Sequence, residues 1–344
     1  MTEIVAIVTG ERGQREIVRP LASAGLPCAT LDWEEFRAMG RLAHARFLPA
    51  VWKIVRAHRK ATVFTDMSSA FLAVIIVVAR ISGLRVFLRL RGDPFAETHD
   101  QLRFHWRQRA WPQLLRSVIS WLLDRPLFGA VDRFVPVSEW IVQRLKIAGR
   151  ASIVRIPIAI ENFPQRRHRD STPLRLLAVT NFNYPQKVAA LGRFLDGYGH
   201  FLGANKMSVT VAGTGISWAS FCTRHAAHAQ FPGFVRDVSA LYADHDVFVH
   251  FSDLDAFPYV VLEAQAAGLP VIVNPACGML EQIEDGVNGF FANLEDRPAL
   301  EALLLRLCDS VSLRAELGMR ARQMIAARYT LRVIGENLSA ALHV

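Results

Sequence analysis

Strand-like and helix-like segments alternate along this chain in two successive series, each opening on a strand. Ile4 to Val8 is an unbroken apolar run of strand length, followed by a turn at Gly10 to Gly13 and a helical pattern into Ala24. Val63-Phe64 and Val86 to Leu88 read as buried strands around a helix near Ala70 to Ile81, which Gly83 closes. Phe134 to Val137 reads as another strand, before a helix capped by Ser138 that runs to about Ile147. The second series has strands at Leu174 to Val179, Ser208 to Ala212, Val247 to His250 and Val271 to Val273. Continuous apolar strands alternating with helices predict parallel sheets covered on both faces. The expected fold class is α/β, two Rossmann-like doubly wound domains facing across a cleft that holds ligand.

The hydrophilic stretch Gln165 to Pro173 separates the two series and is expected to link the domains. It sets the boundaries at 1–165, 166–328 and a closing segment, 329–344. In that segment Ile334, Leu338 and Leu342 recur every four residues, a stripe expected to be buried against the first domain. With 344 residues and 51% apolar content, the chain has material for two cores, which excludes a disordered chain.

Charge is placed unevenly. Residues 1–165 carry 24 Lys and Arg against 14 Asp and Glu, a net of +10, whereas residues 166–344 carry 16 against 17. The excess suggests that the first half meets something anionic, whether nucleic acid, a phosphorylated acceptor or an anionic membrane surface, or else forms a solvated face with no partner; of these, nucleic acid is not expected as a partner. Cys28, Cys222, Cys277 and Cys308 form no C-x-x-C pair and no ligand spacing with histidine, so neither a metal nor a disulfide framework is expected. The first strand lacks the basic flank of a signal peptide. The longest apolar run, Phe71 to Ala79, is far shorter than a membrane span. The expected location is cytoplasmic, peripheral on the inner face of the membrane.

Residues 101–123 mix Trp106, Trp111 and Trp121 with Arg103, Arg107, Arg109 and Arg116. Trp106, Ala110, Leu114, Val118 and Leu122 recur every four residues and predict an apolar stripe, and Pro112 divides the stretch into two helices. Such a segment suits either a membrane interface or ordinary packing on its own domain.

The chemistry concentrates between His250 and Phe291. Asp255 and Glu263 stand eight positions apart around Phe257-Pro258, followed by Ala267-Gly268-Leu269-Pro270, an apolar strand, and then Gly278, Glu281, Gly286 and Gly289. This reads as loop, helix, tight turn, strand, loop and helix, an α/β unit that presents acids to a pocket. A helix N-terminal acid is the plainer reading of Glu263.

This order resembles the Glu-x7-Glu signature of the retaining glycosyltransferases of family 4, glycosyl transferases group 1, which have the GT-B fold. Further likeness lies in Val179 to Lys187, in the turn Ala212-Gly213-Thr214-Gly215 and in Phe231 to Asp237. It extends to Ala130 to Ser138 and Ile156 to Phe163, and covers residues 174–335 best. The resemblance implies a hexosyltransferase that moves a sugar from a nucleotide-sugar donor to a saccharide or lipid-linked acceptor, in cell-surface polysaccharide or glycolipid synthesis. It implies no metal and no cofactor beyond the donor itself.

By the same resemblance Asp255, Lys187 and Arg91 are the catalytic candidates. Asn181, Gly213, Phe234, Arg236, Phe257, Pro258 and Glu263 would bind the donor, with Glu263 on the ribose hydroxyls and Lys187 on the diphosphate. Gly10, Gly13 and Asp93 lie on the acceptor side. Where the family carries glutamate, arginine and histidine, this chain has Asp255, Asn181 and Arg91. Those departures leave a second reading open: a degenerate, non-catalytic relative that binds a glycan or a partner glycosyltransferase.

Overall fold

The computed structural model describes residues 3–26, 28–164 and 173–343. The stretch read as a linker, 165–173, lies outside these residues except for its last position. The chain forms two compact units, Met1–Pro157 with Leu331–Val344, and Ile158–Thr330. The divisions therefore fall eight residues before, and two after, the boundaries that hydrophilicity and helix pattern suggest.

The first unit holds a parallel sheet of β1 (Ile4–Val8), β2 (Ala29–Asp32), β3 (Thr62–Thr65), β4 (Arg85–Leu90) and β5 (Arg133–Pro136), in the order β2-β1-β3-β4-β5. The second holds β6 (Leu174–Val179), β7 (Met207–Ala212), β8 (Gln230–Gly233), β9 (Val247–His250), β10 (Val271–Val273) and β11 (Phe290–Phe291), in the order β11-β10-β9-β6-β7-β8. All pairings are parallel. Among the central strands β1 and β9 are buried throughout, which is why they read as unbroken apolar runs. Strand order reverses between β1 and β3 in one sheet and between β6 and β9 in the other. In doubly wound folds the carboxyl edge at that point is where ligands bind.

Local departures have local causes. Gly10 to Gly13, read as a turn, is instead the start of the first helical stretch, because the Asp32 carboxylate accepts the Gly10 amide at 2.7 Å and the Gln14 side-chain amide at 3.0 Å. Ser138 caps its helix, accepting from the Ile141 amide at 3.4 Å. That helix ends at Leu145 because Lys146 adopts a left-handed φ of 56°. Pro112 does start a second helix, Trp111–Ala130, after Pro94–Arg107. The stripe predicted across this pair is not buried: Trp106, Val118 and Leu122 are exposed, since the pair is pinned internally by polar groups.

The helix Leu331–Leu342 packs in the first unit. Ile334, Leu338 and Leu342 are fully buried with Ile17 and Leu21 on one face of the sheet. The crossing is tight at Gly335, where a Cβ would lie 2.0 Å from the Pro20 carbonyl oxygen. Leu338→Ala should therefore cost about 2–5 kcal/mol, the usual penalty for a cavity at a fully buried leucine. Urea denaturation of the intact protein should show a lowered midpoint for the first unit; an unchanged midpoint would refute the helix's role as a core element.

Candidate active site

Two loops meet at the strand-order reversal of the second sheet. The one after β6 leads into the helix Pro185–Ala204 and carries Lys187 in its first turn; the one after β9 carries Asp255 and leads into the helix Tyr259–Ala266 with Glu263. The Lys187 ammonium pairs with Asp255 Oδ1, and His250 Nε2 donates to Asp255 Oδ2 at 2.9 Å. Asp255 is only 6% exposed. Burial pushes its carboxyl up, but the Lys187 charge and then the His250 hydrogen bond outweigh it and hold the group well below the usual carboxylate range.

The Asp255 loop is fixed by its own backbone. Asn274 accepts from the Ser252 amide at 2.8 Å and donates to the Ser252 carbonyl at 3.1 Å. The Gly278 amide donates to the Asp255 carbonyl at 3.1 Å. A Cβ at Gly278 would sit 1.6 Å from the Ala256 carbonyl oxygen, so only glycine permits this overlap. Gln282 donates to the Pro258 carbonyl at 3.0 Å, completing the frame under the buried Phe257 and Pro258.

Glu263 is the fifth residue of its helix, so a first-turn macrodipole role does not account for it. Its Oε2 accepts from the Tyr242 hydroxyl at 2.8 Å. Tyr242 has no exposed surface. Burial, followed by the Glu263 charge, raises its phenol well above the ordinary value, which keeps it a donor. His250, Tyr242 and Asn274 are not among the candidate site residues that pattern reading selects, and Gly278 reads as part of the motif without a role. Of the three unselected residues His250 has a signal, a polar group closing an apolar strand five positions before an acid.

The remaining donor candidates line the same carboxyl edge. Gly213, at φ 145°, follows β7, and a Cβ there would lie 1.9 Å from the Thr180 carbonyl oxygen; Gly215 likewise abuts Phe182 and Asn183. The glycine turn is thus needed for loops to nest. Asn181 is exposed, and its side-chain oxygen accepts from the Asn183 amide at 2.8 Å, forming a local turn. Phe234 and Arg236 follow β8 and are exposed.

In the first unit the carboxyl edge at β1 and β3 holds a charged cluster beside a cavity of about 390 Å³. Arg91 donates to Glu16 at 2.6 Å and to Asp66 at 2.8 Å, while Thr9 donates to Asp66 through its amide and hydroxyl, both at 2.9 Å. Two carboxylates thus occupy the guanidinium expected to face substrate. Burial pushes the Glu16 carboxyl up, but Arg91 and Arg89 hold it below its usual value. Asp93, assigned to the acceptor side, caps the helix Pro94–Arg107 through the Phe95 and Ala96 amides and pairs with Arg144 at 2.8 Å. Gly13 is a packing residue, since a Cβ would come within 2.5 Å of Val8 Cβ. Gly10 sits at φ 57° beside Glu34.

Residues 223–324 match the family model described as Glycosyl transferases group 1, a span that includes Asp255 and Glu263. A viral protein, ORF31 (isolate Australia/Victoria), named as a glycosyltransferase, is 23% identical over 267 residues, covering 76% of this chain and 78% of that one. The capsular polysaccharide biosynthesis glycosyltransferase CapM of Staphylococcus aureus is 28% identical over 106 residues, 31% of this chain and 28% of CapM. Among solved structures, Anabaena Alr3699/HepE in complex with UDP and glucose superposes over 100% of both chains, with a TM-score of 0.70 at 15% identity. The fold is GT-B. With a group 1 domain in its second unit, the protein is a glycosyltransferase.

Asp255 stays ionised while buried because of Lys187, so the pair's stability contribution has a defined pH window. A depressed carboxyl contributes fully above the ordinary range near 4 and loses its contribution only as pH falls below that toward the folded value. Lys187→Met should raise the folded value and shift the acid limb of unfolding, followed by circular dichroism, to higher pH. Coincident acid limbs would show that the ammonium does not hold the carboxylate.

Proposed function

We propose that the protein transfers a sugar, with retention at the anomeric carbon, from a nucleoside diphosphate sugar to a saccharide or lipid-linked acceptor in cell-surface polysaccharide or glycolipid synthesis. The observation that carries this reading is the pair of acids, Asp255 and Glu263, each held by a dedicated donor at the strand-order reversal of a group 1 domain. HepE's complex with UDP and glucose and CapM's name, capsular polysaccharide biosynthesis, support the donor and product classes.

In this reading Glu263 accepts the ribose hydroxyls, Asp255 and the backbone of Phe257 and Pro258 meet the transferred sugar, and Lys187 faces the diphosphate. The amino ends of the helices Pro185–Ala204 and Tyr259–Ala266 add partial positive charge on the same edge. An acceptor oxygen attacks the anomeric carbon as the bond to the diphosphate breaks, and the hydroxyl proton passes to the leaving phosphate oxygen. Lys187 stabilises the charge that develops there, so no metal is required. The first-unit cavity takes the acceptor, with Arg91 ordering its wall, and the basic surface of that unit meets an anionic membrane.

Glu263→Gln should weaken binding of UDP, the first nucleotide to test, by about 1–3 kcal/mol, the cost of losing a charged hydrogen-bond partner. Calorimetry should show this with the melting temperature preserved, and transfer should survive EDTA. Equal affinity of the folded variant and the wild type would remove Glu263 from the donor site.

A further inference from the structure

The helices Pro94–Arg107 and Trp111–Ala130 form a hairpin that keeps an apolar stripe on its outside. The two helices meet through Phe95 and Phe128, with ring centroids 4.9 Å apart, and through two polar contacts: Thr98 Oγ1 donates to Asp124 at 3.0 Å, and His105 Nδ1 lies 3.0 Å from Ser117 Oγ. Ser117 and Asp124 are the buried residues of the second helix. On its opposite face Trp111, Leu115, Val118, Ile119 and Leu122, spaced by three and four, share one stripe. That stripe is in water: Trp111 is 60% exposed, Leu115 61% and Leu122 59%, and Trp106 and Trp121 are also exposed. The polar pins oppose rolling this face inward, since doing so would break the Thr98–Asp124 and His105–Ser117 contacts together.

Charge indicates what covers the stripe. Between residues 101 and 130 there are five arginines, 103, 107, 109, 116 and 125, all exposed, and a single acid, Asp124, which is buried. A second copy of this surface would bring like charges together around the apolar stripe; an anionic bilayer would neutralise them and accept the stripe. Trp106 and Trp111 meet edge to face at 6.0 Å at the hairpin turn, where Arg109 adopts a φ of 51°. Aromatic rings with polar tips suit the headgroup level. No helix among the described residues is long and apolar enough to cross a membrane.

We propose that this hairpin is a lipid-docking element that lies in the plane of an anionic bilayer, with the Trp111 to Leu122 stripe at the acyl boundary and the arginines among the headgroups. The second helix, 20 residues, would cover about 30 Å of membrane. The proposal rests on the membrane part of the reading above, and not on the donor site.

Sedimentation of the full chain with vesicles of phosphatidylcholine, alone or mixed with phosphatidylglycerol, tests it. Wild type should bind the mixed vesicles, less so as salt rises. Leu115→Gln with Ile119→Gln should lower partitioning about tenfold or more without changing the melting temperature, as both residues are exposed. Arg103→Gln with Arg107→Gln should reduce the preference for anionic vesicles. Failure of wild type to bind, or equal binding by the Leu115/Ile119 variant, overturns the proposal. So does self-association that this variant abolishes in the absence of vesicle binding, which would assign the stripe to a second copy. UDP affinity measured on the same proteins separates this outcome from failure of the donor assignment.

Discussion

Lys187 follows β6 and Asp255 follows β9, so their ion pair joins the two loops at which the second sheet reverses direction. A carboxylate so enclosed is charged only because an ammonium and an imidazole N–H already face it. Removing either partner would leave a buried charge partly uncompensated, which is far more costly than the pair is favourable. The loop and the charge therefore depend on each other. Asn274 and Gly278 fix the backbone that aims Asp255, and Asp255 holds Lys187 at the start of its helix. Glu263 has a parallel arrangement: a buried phenol, raised by burial, remains a hydrogen-bond donor to it.

The first unit uses similar residues to a different end. Its carboxyl edge brings Arg89, Arg91, Glu16 and Asp66 together, but these charges satisfy one another and the backbone. Arg89 is buried and donates to the carbonyls of Val135, Val154 and Arg155, and burial pushes it down to about 10. An arginine with both ends of its fork on carboxylates, as Arg91 has, is a structural cross-link at a cavity wall. Exposed cations are spread over this unit, Arg56, Arg59 and Lys60 among them, but the five on its helical hairpin stand beside an exposed apolar stripe.

Strands buried on both faces were legible because burial forces an unbroken apolar run, as in Ile4 to Val8 and Val247 to His250. The edge strands were not, β5 excepted. β2 is only half-buried, β8 contains Pro232, and β11 has two residues, so none needs such a run. The hairpin stripe admits two readings from sequence because four-residue spacing identifies a face without saying which way it points. Tertiary pins at Thr98–Asp124 and His105–Ser117 settled that, and they are 26 and 12 residues apart in sequence. For the same reason the two acids could be selected from spacing, whereas Tyr242, 21 residues before Glu263, could not.

The shorter acid at 255 gains meaning from this geometry. Glutamate would carry its carboxylate farther from the loop by about one C–C bond, ~1.5 Å. Aspartate instead ends where His250 Nε2 and the Lys187 ammonium both reach it. In the proposed reaction, Lys187 is then shared between Asp255 and the donor diphosphate. Arrival of two phosphate charges would draw the ammonium away and return the burial cost to Asp255, leaving the His250 hydrogen bond to hold its charge. That exchange makes donor affinity the difference between two charged contacts of one lysine. Asn181, whose side chain is turned onto the Asn183 amide, supplies no second cation to ease it. Weak ground-state binding of the nucleoside diphosphate follows from these contacts, with Lys187 most available to the leaving group once bond cleavage has increased its charge.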